Sequence, residues 1–155
     1  LNKVVGYSQG DFTIQSDGVS IDPFAARNSI DGFYTSTNTL DKFVDTVTWG
    51  DNNAKETTTA ITNLAENSYI GGLTEGTLSG ENALLGTDAT LIAINSSQLQ
   101  SEIIWKSQFG TDGDDQVISL DSDIKKIMVL WESINGGVTN YNITPFSVDG
   151  KALAK

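Results

Sequence analysis

Residues 57–109 read TTTAITNLAENSYIGGLTEGTLSGENALLGTDATLIAINSSQLQSEIIWKSQF. Four runs rich in β-branched and apolar residues stand out: 57–64 (TTTAITNL), 67–73 (NSYIGGL), 88–95 (DATLIAIN) and 102–109 (EIIWKSQF). Ala-Glu-Asn separates the first two, a Gly-rich stretch at 74–86 the second pair, and Ser-Ser-Gln the last pair. Runs of ~5–8 residues bounded by Gly, Asn, Asp and Ser are strands, and short connections make neighbouring strands antiparallel. The stretch predicts a four-stranded meander. No window longer than about ten residues carries the i, i+3, i+4 spacing of a helix.

The rest of the chain repeats this unit. Gly6-Tyr7-Ser8-x-Gly10 echoes Gly72-Leu73-Thr74-x-Gly76. Unit one therefore opens on its second strand, 3–7, with no first strand before it. Its third strand is 31–35, matching Asp88 onward, and its fourth is 42–49, placing Trp49 opposite Trp105 with one inserted residue. The long connection 10–30 predicts an extra hairpin, with 12–14 and 19–21 flanking Asp17-Gly18, and one helical turn at 24–28. In unit three the strands are 116–120, 126–131 and 140–146. One spacing relates Asp88 to Asn140 and Ser97-Gln98 to Asp149-Gly150, so Lys155 falls inside an unfinished fourth strand. The units are approximately 1–49, 50–109 and 110–155 in a single all-β domain. Repeats of this kind matter because one unit cannot bury its apolar face alone.

Composition narrows the function. The 155 residues carry nine basic and twenty acidic side chains, a net charge of −11, with Arg27 the one arginine. A nucleic-acid partner requires a basic footprint that is missing, and no run approaches the ~18 apolar residues of a membrane-spanning helix. There is no Cys and no His. That removes disulfides, thiolate metal sites and the commonest general base. No Ser can pair with a His, so an enzyme is not expected. The chain opens on Leu1 rather than Met, which fits export with a removed leader or a fragment of something longer. Asn95-Ser-Ser and Asn142-Ile-Thr match the N-glycosylation pattern.

The segment Trp105-Lys-Ser-Gln-Phe-Gly-Thr-Asp-Gly-Asp-Asp115, taken with Tyr69-Ile-Gly-Gly-Leu-Thr-Glu-Gly76 and Gly86-Thr-Asp-Ala89, resembles the SBBP-type β-propeller repeat. That repeat, roughly W-x-x-x-x-G-T-x-x-x-D, x-Y-V-x-G-x-T-x-G and G-x-D-A-F, occurs in long secreted bacterial proteins, often beside calcium-binding repeats. Unit three departs from it, with Leu130 at the Gly position and Trp131 after it. The resemblance implies antiparallel four-stranded blades, a partial β-propeller, and an extracellular or cell-surface setting. It implies little about activity, because function on such scaffolds sits in grafted loops. Buried inner strands suit runs such as Ile127-Met-Val-Leu-Trp131. Gly71 and Gly72 are expected to admit a neighbouring sheet or a bulge, and Trp49 and Trp105 to anchor units to one another.

About two and a half blades cannot close an ordinary propeller of ~4–8 blades. Unpaired edges are normally blunted, yet near Val4, Val5, Gly6 and Tyr7 the only charge is Lys3. These four residues are the expected assembly edge, completed by other copies of the chain through main-chain pairing in a homo-oligomer or filament. The expected role is a non-catalytic secreted structural protein forming a fibre, sheath or surface layer. The alternatives are a lectin-like or adhesin module that binds glycans through loops such as 74–86, or a fragment of a larger tandem-repeat propeller. Trp131 is the candidate for sugar stacking. Asp112, Asp114 and Asp115 are candidate Ca2+ ligands. They lack EF-hand spacing, and a turn between units is the simpler role for that stretch. No resident cofactor is expected.

Overall fold

A computed structural model describes residues 2–9, 14–16, 19–21, 30–37, 43–50, 54–78, 85–96 and 101–154. These residues form twelve strands and no helix. Strand β1 (Asn2–Gln9) pairs antiparallel with β4 (Ile30–Thr37), and β4 with β5 (Phe43–Trp49), making the first sheet. The small hairpin of β2 (Ile14–Ser16) and β3 (Val19–Ile21) lies in the expected long connection. The helical turn expected at 24–28 lies outside the described residues.

The central sheet is the four-stranded meander of β6 (Glu56–Leu64), β7 (Asn67–Thr74), β8 (Asp88–Asn95) and β9 (Glu102–Phe109). The third sheet holds β10 (Asp114–Asp123), β11 (Lys126–Asn135) and β12 (Val138–Ser147). A single bridge, Phe146 to Ala152, begins a further pairing beyond β12. All strand pairs are antiparallel, and the described sheets do not close into a barrel or a propeller.

The pairing registers show how closely the sheets correspond. Gly72 faces Thr90 across the central sheet, and Gly6 faces Phe33 across the first. Gly71 faces Leu91, and Leu130 faces Ile143 in the third sheet. The bulge recurs too. Thr59 is the extra residue between Thr58 and Ala60, opposite Gly72 and Gly71. Ile118 is the extra residue between Val117 and Ser119, opposite Trp131 and Leu130. Such a bulge bends the strand and sharpens its twist. Between β11 and β12, Gly136 and Gly137 both take positive φ, as a two-residue type I′ turn requires.

One expected correspondence is corrected by the register. Trp49 pairs with Gly32, the counterpart of Ala89, and Ala89 pairs with Phe109. Trp49 therefore stands in the place of Phe109. Trp105 pairs with Ala93, whose counterpart Ser36 pairs with Asp45. The connection from β4 to β5 is shorter than that from β8 to β9, so matching tryptophan to tryptophan slides the strand against its partner. Backbone pairing decides the alignment, and it sets the two indoles four residues apart along the repeat, Trp105 matching Asp45. Each still packs at a contact between sheets, Trp49 on one side of the central sheet and Trp105 on the other.

Two cores flank the central sheet. Strands β7 and β8 are buried along almost their whole length, because both of their faces are covered. Side chains alternate across a strand. Tyr69, Leu91 and Ala93 point to the third sheet and join Val117, Ile127, Val129 and Phe146. Ile70, Ile92 and Ile94 point to the first sheet and join Tyr34, Trp49 and Val5.

Candidate assembly interface

The two junctions have the same polarity. Val5 and Tyr34 of the first sheet face the central sheet. Their counterparts Gly71 and Leu91 in the central sheet face the third. In the other direction, Ile70 of the central sheet faces back to the first, and its counterpart Val129 faces back to the central sheet. Each sheet thus offers one face forward and the other backward. The next residues in the series are uncovered: Ile143, forward on the third sheet, is 54% exposed, and Val4, backward on the first, is 48% exposed. Tyr141 lies beside Ile143 on the same open face at 69% exposure.

Of the residues expected at the assembly edge, Val4 and Tyr7 are exposed while Val5 packs into the first junction. Gly6 is covered by Phe33 directly opposite; a Cβ there would lie 2.8 Å from the ring. Among the described residues no strand pairs with the outer edge of β1.

Lys3 does not guard that edge. Its Nζ turns into the first junction and donates to Asn63 Oδ1 (2.9 Å), Ser68 Oγ (3.0 Å) and Ser96 Oγ (2.8 Å) of the central sheet. Burial lowers its pKa. Three oxygen acceptors satisfy the three donors of an ammonium, so the charge is tolerated inside. Nothing local in the sequence around Lys3 points to acceptors 60, 65 and 93 residues away.

The second junction is fastened differently. The Thr59 hydroxyl, at the bulge, donates to the Val117 carbonyl of the third sheet. Gly71 leaves the seat that Val117 fills, since a Cβ there would collide with its side chain, and Gly72 gives way to the Thr57 carbonyl beside the bulge. Close approach and a bulge, the two uses expected for this glycine pair, occur side by side. Phe109 meets Trp131 edge-on at 5.6 Å and Phe146 at 5.0 Å. Trp131 also donates its indole N–H to Thr144 Oγ1 (3.0 Å), so the residue considered for sugar stacking packs in this core. Trp105 donates to the Val148 carbonyl and lies over Gly150, holding the turn after β12.

Carboxylates are buried at each junction. Asp31 and Glu56 meet beside Gly50, where a Cβ would strike both side chains. Thr74 Oγ1 donates to Glu56 Oε1 at 2.8 Å. At the second junction Gln108 Nε2 donates to Asp88 Oδ2 (2.6 Å), and Asp115 lies against Gly110. The Asp115 carboxylate accepts the Thr111 N–H (2.6 Å) and the Thr111 hydroxyl. Burial pushes the Asp115 carboxyl above its ordinary pKa, Thr111 pulls it back, and Asp88 and Asp114 push it up again. This gives Gly110-Thr111-x-x-x-Asp115 a physical meaning: the glycine makes room, and the threonine holds the acid in a turn.

Asp112 and Asp114 are exposed and Asp115 is buried, on alternating positions. Asp114 accepts the Thr87 N–H. Asp114 and Asp115 line a cavity of about 400 Å³ with Glu75 and Glu132. Among the described residues no three acids converge closely enough to share a metal ion. No protein-family model matches the chain, and no curated protein matches it in sequence.

Proposed function

We propose that the three sheets are blades of a partial β-propeller, and that the protein is a non-catalytic secreted structural subunit. It self-assembles through its incomplete blades into a fibre, sheath or surface layer outside the cell. The observation that carries this reading is the repeated, one-directional junction with apolar residues uncovered at both of its ends. A head-to-tail contact of this type continues until it closes into a ring or runs on as a filament, according to the rotation between copies. The outer edge of β1, unpaired among the described residues and with Val4 and Tyr7 exposed, adds main-chain donors and acceptors to the same end of the molecule. A net charge of −11 keeps separate chains apart until apolar faces are matched, so assembly strengthens with added salt.

Sedimentation velocity over a wide concentration range, with and without salt, tests the proposal. The expected result is a concentration-dependent series of species larger than one chain, visible as rings or filaments by electron microscopy. A folded chain that remains a monomer at every concentration would sink it.

A further inference from the structure

We infer that the open face of the third sheet receives the first sheet of a second copy of this chain, face to face, with Ile143 against Val4 of that copy. This rests on the assembly reading and names its contact. The argument is continuation of an interface the molecule already builds twice. Tyr34 shares the first core with Ile70, and Leu91, the counterpart of Tyr34, shares the second core with Val129, the counterpart of Ile70. The next members of those two series are Ile143 and Val4, the one uncovered on the third sheet and the other on the first.

The third sheet departs from the central one where this occupant needs it to. On the central sheet, Gly71 is bare because Val117 of β10 presses into it. β10 is the outermost strand of an incoming sheet on its β6 side. In the first sheet β1 is itself the outer strand among the described residues, so a copy docking by that sheet brings no strand to press at this point. Leu130 stands where Gly71 would be, opposite Ile143, and so supplies a side chain at the position the central sheet leaves bare for Val117 of β10. Tyr141 and Met128 extend the patch on the forward side. An identical patch meeting itself would instead set Ile143 against Ile143, a contact that neither internal junction contains.

The absence of cysteine makes the test direct. Val4→Cys, Ile143→Cys and the double variant are compared under mild oxidation and with a short bismaleimide, and these three and the parent chain are also run in sedimentation. Both positions are about half exposed, so the fold tolerates the change. The expected result is a ladder of covalent oligomers from the double variant and a dimer from the mixed single variants. Each single variant alone remains uncross-linked. Ile143→Cys cross-linking to itself overturns the inference in favour of a two-fold contact. Large species in sedimentation with no cross-link between the two positions overturn it while leaving self-assembly standing, and point to strand pairing at β1. Monomers throughout remove the assembly reading and the inference together. Ile143→Lys gives a second measure: it places a charge in the contact and is expected to raise the concentration needed for assembly at least tenfold, and no change counts against the inference.

Discussion

The two junctions of this protein share a register and a direction but not a chemistry. The first is narrow in its aromatic content and is held at one end by an ammonium group, Lys3, on three side-chain oxygens. The second has no such charge. It relies on a bulge hydroxyl, a glycine seat and a cluster of Phe109, Trp131 and Phe146. The difference teaches that the repeat conserves the geometry of pairing, while each contact is closed by whatever fits the gap. A third contact, between copies, can therefore use Leu130, Tyr141 and Ile143 without copying either solution.

The strongest way to break the comparison is to empty one core at a time. Trp49 is 4% exposed and packs only in the first core. Trp49→Ala is expected to cost about 3–5 kcal/mol, and Leu91→Ala in the second core about 2–5 kcal/mol. Urea unfolding followed by hydrogen exchange checks both. Trp49→Ala should release protection in β4 and β5 before β10–β12, and Leu91→Ala the reverse. Equal loss everywhere would show that the two junctions unfold as one unit.

Lys3→Ala is next in size. It removes the donor shared by exposed Asn63 and buried Ser68 and Ser96, at a cost of about 1–3 kcal/mol for the buried hydroxyls. The loss should appear in β1 and in the β6–β7 end of the central sheet, with the third sheet unaffected. An effect near zero would mean that the junction is closed by Val5 and Ile70 alone.

The strands of the central sheet were legible because Asn, Gly and Ser punctuate them and because Ile, Leu and Thr fill them. The expected bounds 67–73, 88–95 and 102–109 differ from β7, β8 and β9 by at most one residue. The correspondence of Gly6 with Gly72 was legible for a physical reason: a cross-strand residue crosses over each glycine, or a bulge presses on it, so the position resists change. The match of Trp49 to Trp105 failed because similarity of side chain does not measure register. Nor was the buried end of Lys3 visible, since its acceptors are distant in sequence. The acids at 112–115 looked like an ion site because a sequence shows charges and not directions. In the fold, Asp115 turns inward to Thr111 while Asp112 and Asp114 stay in solvent.

That inward turn predicts a pH effect confined to the second junction. Asp115 has a folded pKa raised above 3.8, first by burial and then by Asp88 and Asp114. Its contribution to stability is fully present below 3.8 and is lost as pH rises through the folded value, because the unfolded chain gives up the proton first. Asp115→Asn keeps an acceptor for the Thr111 N–H and removes the titration. The variant should match the parent chain below 3.8 and exceed it at neutral pH, as read from thermal midpoints. The parent remaining the more stable at neutral pH would show that the carboxylate's bonds to Thr111 outweigh its burial.

The smallest expected effect separates the sheets from their contacts. Ala65 joins β6 to β7 and is the one non-glycine among the described residues with positive φ, at 53°. An L-residue with a Cβ meets its own carbonyl in that conformation, at a cost of about 1–2 kcal/mol. Asparagine bears it better, because its side chain bonds locally to the backbone. Ala65→Asn should therefore raise stability by a few tenths to about 1 kcal/mol. Ala65 is exposed and belongs to neither core, so the gain must reach both junctions through the central sheet. Hydrogen exchange should then show equal added protection in the first and third sheets. A gain limited to the β6–β7 hairpin would mean that the junctions open independently of the sheet between them, and that each contact, including one between copies, carries its own stability.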